Sequence, residues 1–336
     1  MRPSVDLPDK AAWRAVCDRY RTPDDAAAWG QLASCVLPLA GLWVLMILSL
    51  QRSYALTLLL SVPASLVFIR LFMLQHDMGH GSLFKTPWLN DVVGICVCVP
   101  LLTPYWEWRK SHALHHGNTS KLETRILADI YTMTVAEWRA ASTAKRLGYR
   151  IFRSVPILLG VAPTWTFLIS NRVKGSMCKG LPRGRNLVNV HLTTLLFVAW
   201  ACANSYVIGI EAFILVQAPI VLIGGAIGIW IFYMEHNHEQ AWLSSSSSWS
   251  HEAAALRGSS FCLMPRWLAW ATANVGYHHV HHLDARIPNY RLRACHDENP
   301  ALFAGVPVFT VMDTLRAMWS LRLYDEQQQK LVPFPP

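Results

Sequence analysis

The chain has 336 residues, 53% of them hydrophobic and only 15% charged, a balance suited to burial in lipid rather than to a water-soluble globule. Its 30 lysines and arginines outnumber 21 acids and leave a net charge of +9. No basic stripe or nucleic-acid recognition module accompanies that charge, so no nucleic-acid partner is expected. The eight cysteines (Cys17, Cys35, Cys96, Cys98, Cys178, Cys202, Cys262, Cys295) form no CxxC pair and are read as small buried hydrophobes.

Taken in chain order, residues 1–28 are polar and charged and read as a cytosolic N-terminal arm, with no cleavable signal peptide evident. Residues 29–330 read as one membrane domain with a cytosolic cap, and residues 331–336 as a flexible, proline-rich tail. A helix crosses a hydrocarbon core with about 20 apolar residues. Four stretches meet that length, near residues 29–50, 54–75, 187–207 and 211–234. The links at about 51–53 and 205–210 are short, so the four spans form two tight hairpins. Residues 92–103 are too few to cross and read as re-entrant or interfacial. Residues 154–169, with Pro156, Gly160 and Pro163, read as an interfacial helix pair. Gly224 and Gly228 suggest a close helix contact, and the serines at 244–248 a flexible loop.

Charge orients this arrangement. Five lysines and arginines precede the first span, one lies between the first two, fifteen fall in the middle loop and eight follow the fourth. By the positive-inside rule both termini and the middle loop are expected to be cytoplasmic. Arg70 alone lies inside a span and is expected to snorkel to headgroups or pair with a lipid phosphate.

Three histidine clusters fall on that same side: His76-Asp-Met-Gly-His80, His112-Ala-Leu-His115-His116 and His278-His-Val-His281-His282. Residues three or four apart share one helix face, so each cluster can aim two or three imidazoles at one point. Imidazole suits iron, zinc, copper or nickel, and eight converging histidines suggest two ions rather than one. A haem or metal-transport protein would instead place histidines deep within its spans.

The clusters and their flanks resemble the membrane fatty acid desaturases, the bacterial and plastid acyl-lipid enzymes of the omega-6 sort above all. The resemblance rests on His76-Asp77-xx-His80-Gly81, His112-xx-His115-His116, Phe232-Tyr233-xx-His236 and Asn274-Val-Gly276-Tyr-His278-His-Val-His281-His282-Leu. Arg286-Ile-Pro288-Asn-Tyr290 and Cys295-His-Asp-Glu-Asn-Pro300 extend it. It implies an all-α integral membrane protein, with four transmembrane helices in two hairpins, interfacial helices and a cytosolic helical cap carrying the histidine boxes. It also implies two iron ions, O2 as co-substrate, and two electrons from an external donor such as ferredoxin. The substrate would be a membrane lipid or other acyl chain, given a double bond; an acyl hydroxylase or ketolase using the same boxes is the alternative. Carried over by position, the implied metal ligands are His76, His80, His112, His115, His116, His236, His278, His281 and His282. No catalytic residue beyond the metal centre is implied.

Remaining polar residues receive smaller roles. Asp77 is a candidate to hold a ligand imidazole, and Asn274 a candidate to face the metals or to cap locally. His279 sits one residue off the ligand face; His238, His251 and His296 read as surface or supporting groups, and His191 as an interface residue. Glu235-xx-His238 reads as a coincidence of the span end, because soluble di-iron sites need two such pairs. The basic segments at 145–153 and 174–185 are candidate docking sites for an acidic electron donor.

Overall fold

The computed structural model describes residues 9–125, 129–173 and 184–335. α1 (Lys10–Asp18) leads into the first hairpin, α2 (Asp25–Leu50) and α3 (Tyr54–His80). α4 (Pro87–Leu101) and α5 (Tyr105–Asn118) then meet at 99°, a sharp bend at the end of the apolar stretch. Four elements follow: α6 (Val135–Ala140), α7 (Thr143–Phe152), a π-turn at Ile157–Val161 and α8 (Ala162–Leu168), into which it runs. The second hairpin is α9 (Gly184–Ile208) and α10 (Ile210–His236), turning at Gly209. The cap comprises α11 (His251–Arg257), α12 (Arg266–Ala271), α13 (His278–Leu283), α14 (Asn289–Asp297) and α15 (Val311–Ser320). Two small sheets staple it: β1 (Phe261–Leu263) runs parallel to β2 (Val308–Thr310), and β3 (Leu323–Asp325) antiparallel to β4 (Lys330–Val332).

Among the described residues four helices are long and apolar enough to cross a membrane: Asp25–Leu50, Tyr54–His80, Val188–Ile208 and Ile210–His236. They coincide with the four expected spans, and the all-helical membrane class holds. Their outward side chains, such as Leu37, Leu59, Leu195 and Val207, are exposed, as lipid-facing residues are. Inward, Phe68, Leu74 and Met78 of α3 pack with Val216, Ile220 and Tyr233 of α10 in one core. The polar groups at this contact are matched across it: Ser65 Oγ donates to the Ile220 carbonyl at 3.2 Å, and Trp43 Nε1 to Gln217 Oε1 at 3.1 Å.

Several expectations are revised. Within the N-terminal arm, α1 docks on the cap, where Trp13 and Cys17 bury with Val280 and Leu283 behind the third histidine cluster. The tail is tied down: residues 330–332 form β4, and Phe334 packs on Trp138 at 4.6 Å. The serine run is also held, since Ser244 bridges Lys121 and Ser246 binds the Glu123 carboxylate. Arg70 does not reach lipid; it is buried, donates to the Trp270 carbonyl and lies 4.4 Å from the Trp270 ring centre. A cation with an apolar stem here finds an aromatic face and a carbonyl within the protein. Cys178 and most of the basic segment at 174–185 lie outside the described residues.

The contact of α10 with α3 depends on Gly224, where a Cβ would sit 2.8 Å from the Phe68 ring. At Gly228 the nearest atom, Ile69 Cδ1, is 3.4 Å away, an ordinary contact. Gly224→Val is therefore expected to cost about 1–3 kcal/mol, as overpacking does. Gly228→Ala should leave stability unchanged or slightly raised through helix propensity. Thermal unfolding midpoints of the two variants in detergent check this contrast.

Candidate metal centre

Local structure places each histidine. His76 and His80 occupy the last turn of α3, one helical turn apart. Gly81, at φ +70°, stops the helix there by returning its N–H to the Met78 carbonyl. α5 carries His112, His115 and His116 and ends at Thr119, whose hydroxyl donates to the His115 carbonyl at 2.6 Å. His236 is the last residue of α10, and α13 presents His278, His281 and His282. Two spans, the bent α4–α5 pair and the cap thus bring their ends to one place.

The nine histidines divide into two groups. His76, His80, His112, His116 and His281 make one; His115, His236, His278 and His282 make the other. Within each group one ring nitrogen per residue lies within 4.8 Å of all the rest. In the first, His116 Nε2 is 3.0 Å from His112 Nε2 and 3.1 Å from His281 Nε2. In the second, His236 Nε2 is 3.1 Å from both His115 Nε2 and His278 Nε2. Ring nitrogens so close and facing one another suit ligands on a shared ion better than hydrogen bonds. His80 Nε2 and His282 Nε2 are buried without a hydrogen-bond partner, which also fits a metal-binding role. Five histidines exceed the four ligands of a structural zinc site, so the first group favours a metal of higher coordination number.

Supporting residues fix the rings from behind. Asp77 Oδ1 stands 3.1 Å from His76 Nδ1, while its Oδ2 accepts from the Asn289 backbone and side chain at 2.8 and 2.9 Å. Asn274 acts one step further out, donating from Nδ2 to the Asn289 carbonyl at 3.1 Å. His236 Nδ1 donates to the Gly258 carbonyl at 3.2 Å. His279 turns away from both groups: its Nδ1 faces the Ser260 carbonyl at 3.4 Å and its Nε2 faces His296 Nδ1 at 2.9 Å. His238 packs on Phe309, His251 meets the Leu283 carbonyl and His191 is exposed; none joins a group.

Both groups border a cavity of about 580 Å³, within the range of ligand pockets. Ile69, Phe72, Met73, Phe167, Ile229 and Phe232 give it an apolar wall, and His76, His112, His115 and His278 reach it. Two carboxylates also line it, Glu235 and Asp129. Sequence reasoning missed both. Asp129 carries no motif, and desolvation pushes its pKa up to about 7 against the opposing pull of Arg153. Glu235 was visible only as half of an apparent Glu-xx-His pair; the structure puts it at the site and His238 elsewhere.

Comparison with known proteins agrees with this architecture. Residues 52–311 match the fatty acid desaturase family. A fatty acid desaturase of Bacillus subtilis is 40% identical over 315 residues, covering 94% of this chain and 88% of the relative. The sn-1 oleoyl-lipid 12-desaturase of Synechocystis is 28% identical over 237 residues, 67% of this chain and 63% of that one. The sn-1 acyl-lipid omega-3 desaturase (ferredoxin) of Nostoc is 34% identical over 111 residues, 33% of this chain and 29% of that one. The chain belongs to the fatty acid desaturase family, a family of oxidoreductases.

Burial first, and neighbouring histidines second, hold His278, His281 and His282 well below the usual imidazole range; burial pushes His279 down to about 3. The unfolded chain, with histidine pKa values near about 6.5, therefore binds more protons below that pH than the folded one does. Stability is intact above about pH 7 and is lost progressively as pH falls. The unfolding midpoint of the metal-free protein in detergent should be flat from about pH 7 to 8 and decline from about pH 6.5 downward. A midpoint unchanged at about pH 5 would contradict neutral buried imidazoles.

Proposed function

We propose that this member of the fatty acid desaturase family introduces a double bond into an acyl chain, using O2 and two electrons from a separate donor protein. The observation that carries the reading is the pair of histidine groups opening onto one apolar cavity. The ligands would be His76, His80, His112, His116 and His281 for one iron and His115, His236, His278 and His282 for the other. Two bound irons would supply oxygen activation and attack on an unactivated C–H bond. The chain's own residues do the rest. Phe72, Phe167, Ile229 and Phe232 hold the hydrocarbon against the histidines and keep water away from it. Asp77 holds His76 in one tautomer, and Asn274 braces Asp77's partner Asn289.

The relatives' names support a lipid-linked substrate, since several act on acyl lipids, and one names ferredoxin. Positive-inside charge supports cytoplasmic termini and a cytoplasmic site, in a bacterial inner membrane. An acidic donor would then meet the protein on its basic face.

Expression in cells lacking the activity, followed by gas chromatography–mass spectrometry of total fatty acids, tests the reading. A new unsaturated fatty acid is expected with the intact chain and none with His116→Ala. Purified protein should hold two irons per chain, and the variant fewer. An oxygenated chain in place of an alkene would move the assignment to a hydroxylase.

A further inference from the structure

Glu235 is the residue of the cavity wall for which the motifs supply no role. It precedes His236 on the last turn of α10 and is 5% exposed. Its Oε1 stands 3.4 Å from Nδ1 of His278. On the other side of that ring, Nε2 of His278 faces Nε2 of His236 at 3.1 Å, in the second histidine group. An imidazole that offers Nε2 to a metal must carry its one proton on Nδ1. That Nδ1 is buried and makes no hydrogen bond, and the Glu235 carboxyl 3.4 Å away is an acceptor in reach of the proton it must carry when Nε2 is a ligand. The first group shows the same pairing closed to a hydrogen bond, with Asp77 Oδ1 3.1 Å from His76 Nδ1. Neither carboxylate belongs to a ligand group; each stands behind one ligand.

We propose that Glu235 is the positioning residue of the second metal group: it accepts the Nδ1 proton of His278, fixes that ring's tautomer and plane, and strengthens Nε2 as a donor. The proposal rests on the reading of the two histidine groups as metal sites. Outer partners of this kind are worth about 10–100-fold in metal affinity.

The test is anaerobic titration of the full-length, metal-free protein in detergent with ferrous iron, with Mössbauer spectra of the loaded samples. Wild type is expected to take up two ions. Glu235→Leu should bind one ion with wild-type affinity and the other about 10–100-fold more weakly. Glu235→Gln, whose amide oxygen still accepts a hydrogen bond, should recover most of that affinity while altering one iron's spectrum only. Retention of the first ion reports that Glu235→Leu is folded. If that variant binds neither ion, Glu235→Gln decides. Two ions at unchanged affinity, with both spectra unmoved, would overturn the role. A wild type that binds no iron would instead sink the metal reading, which keeps the two failures apart.

Discussion

An imidazole binds a metal only as a neutral ring, and the packing around the two histidine groups is arranged to suit that requirement. Protonated, they would repel one another at ring-centre separations such as 4.2 Å between His116 and His282 and 4.5 Å between His76 and His281. Burial removes the water that would screen them and favours the uncharged form. The neutral ring has one lone pair to offer and one proton to place. Each ligand therefore needs an acceptor behind it, and the Gly258 carbonyl and Asp77 are there to serve. The α1–cap contact belongs to the same logic. Trp13 and Cys17 bury against Val280 and Leu283, which leaves α13 little freedom to rotate its histidines toward solvent.

Much of this was legible in the sequence because it rests on two periodicities. The spans are runs of apolar residues long enough to satisfy every backbone group internally within lipid. The histidines recur at three and four, and helical geometry turns that spacing into a shared face. The unread parts depend on contacts between segments far apart in the chain. His281 joins His76 and His80 while His282 joins His115 and His236, although the two are neighbours in sequence. Nothing local separates them; the docking of α13 does. Arg70 was assigned to the headgroups because Trp270, two hundred residues away, cannot be seen from α3. The tail looked loose because its proline-rich end hides three residues that complete a strand pair.

Glu235 shows the same limit at the site itself. Read along α10, it is a charged residue at a span end, where such residues are common. Its proximity to His278 exists only after the cap closes over the helix end. Asp129 is similar: it carries no motif, yet it lines the same cavity as Glu235, within electrostatic reach of the buried Arg153.

The division of the histidines also ties the two groups together, although neither group contains a carboxylate. α5 supplies His112 and His116 to one group and His115 to the other; α13 supplies His281 to the first and His278 and His282 to the second. Two short rigid helices therefore reach both points, and about 100° of helical rotation per residue turns adjacent side chains toward different centres. A carboxylate-bridged site holds its ions together through a shared ligand. On the proposed two-metal reading the backbone of α5 and α13 would take that part, and the spacing of the groups would be set by the two helices that carry them. Loosening either helix moves a ligand of both groups at once, so the hydroxyl of Thr119 that ends α5 and the α1 contact behind α13 matter to both groups, though they touch neither cavity nor ion.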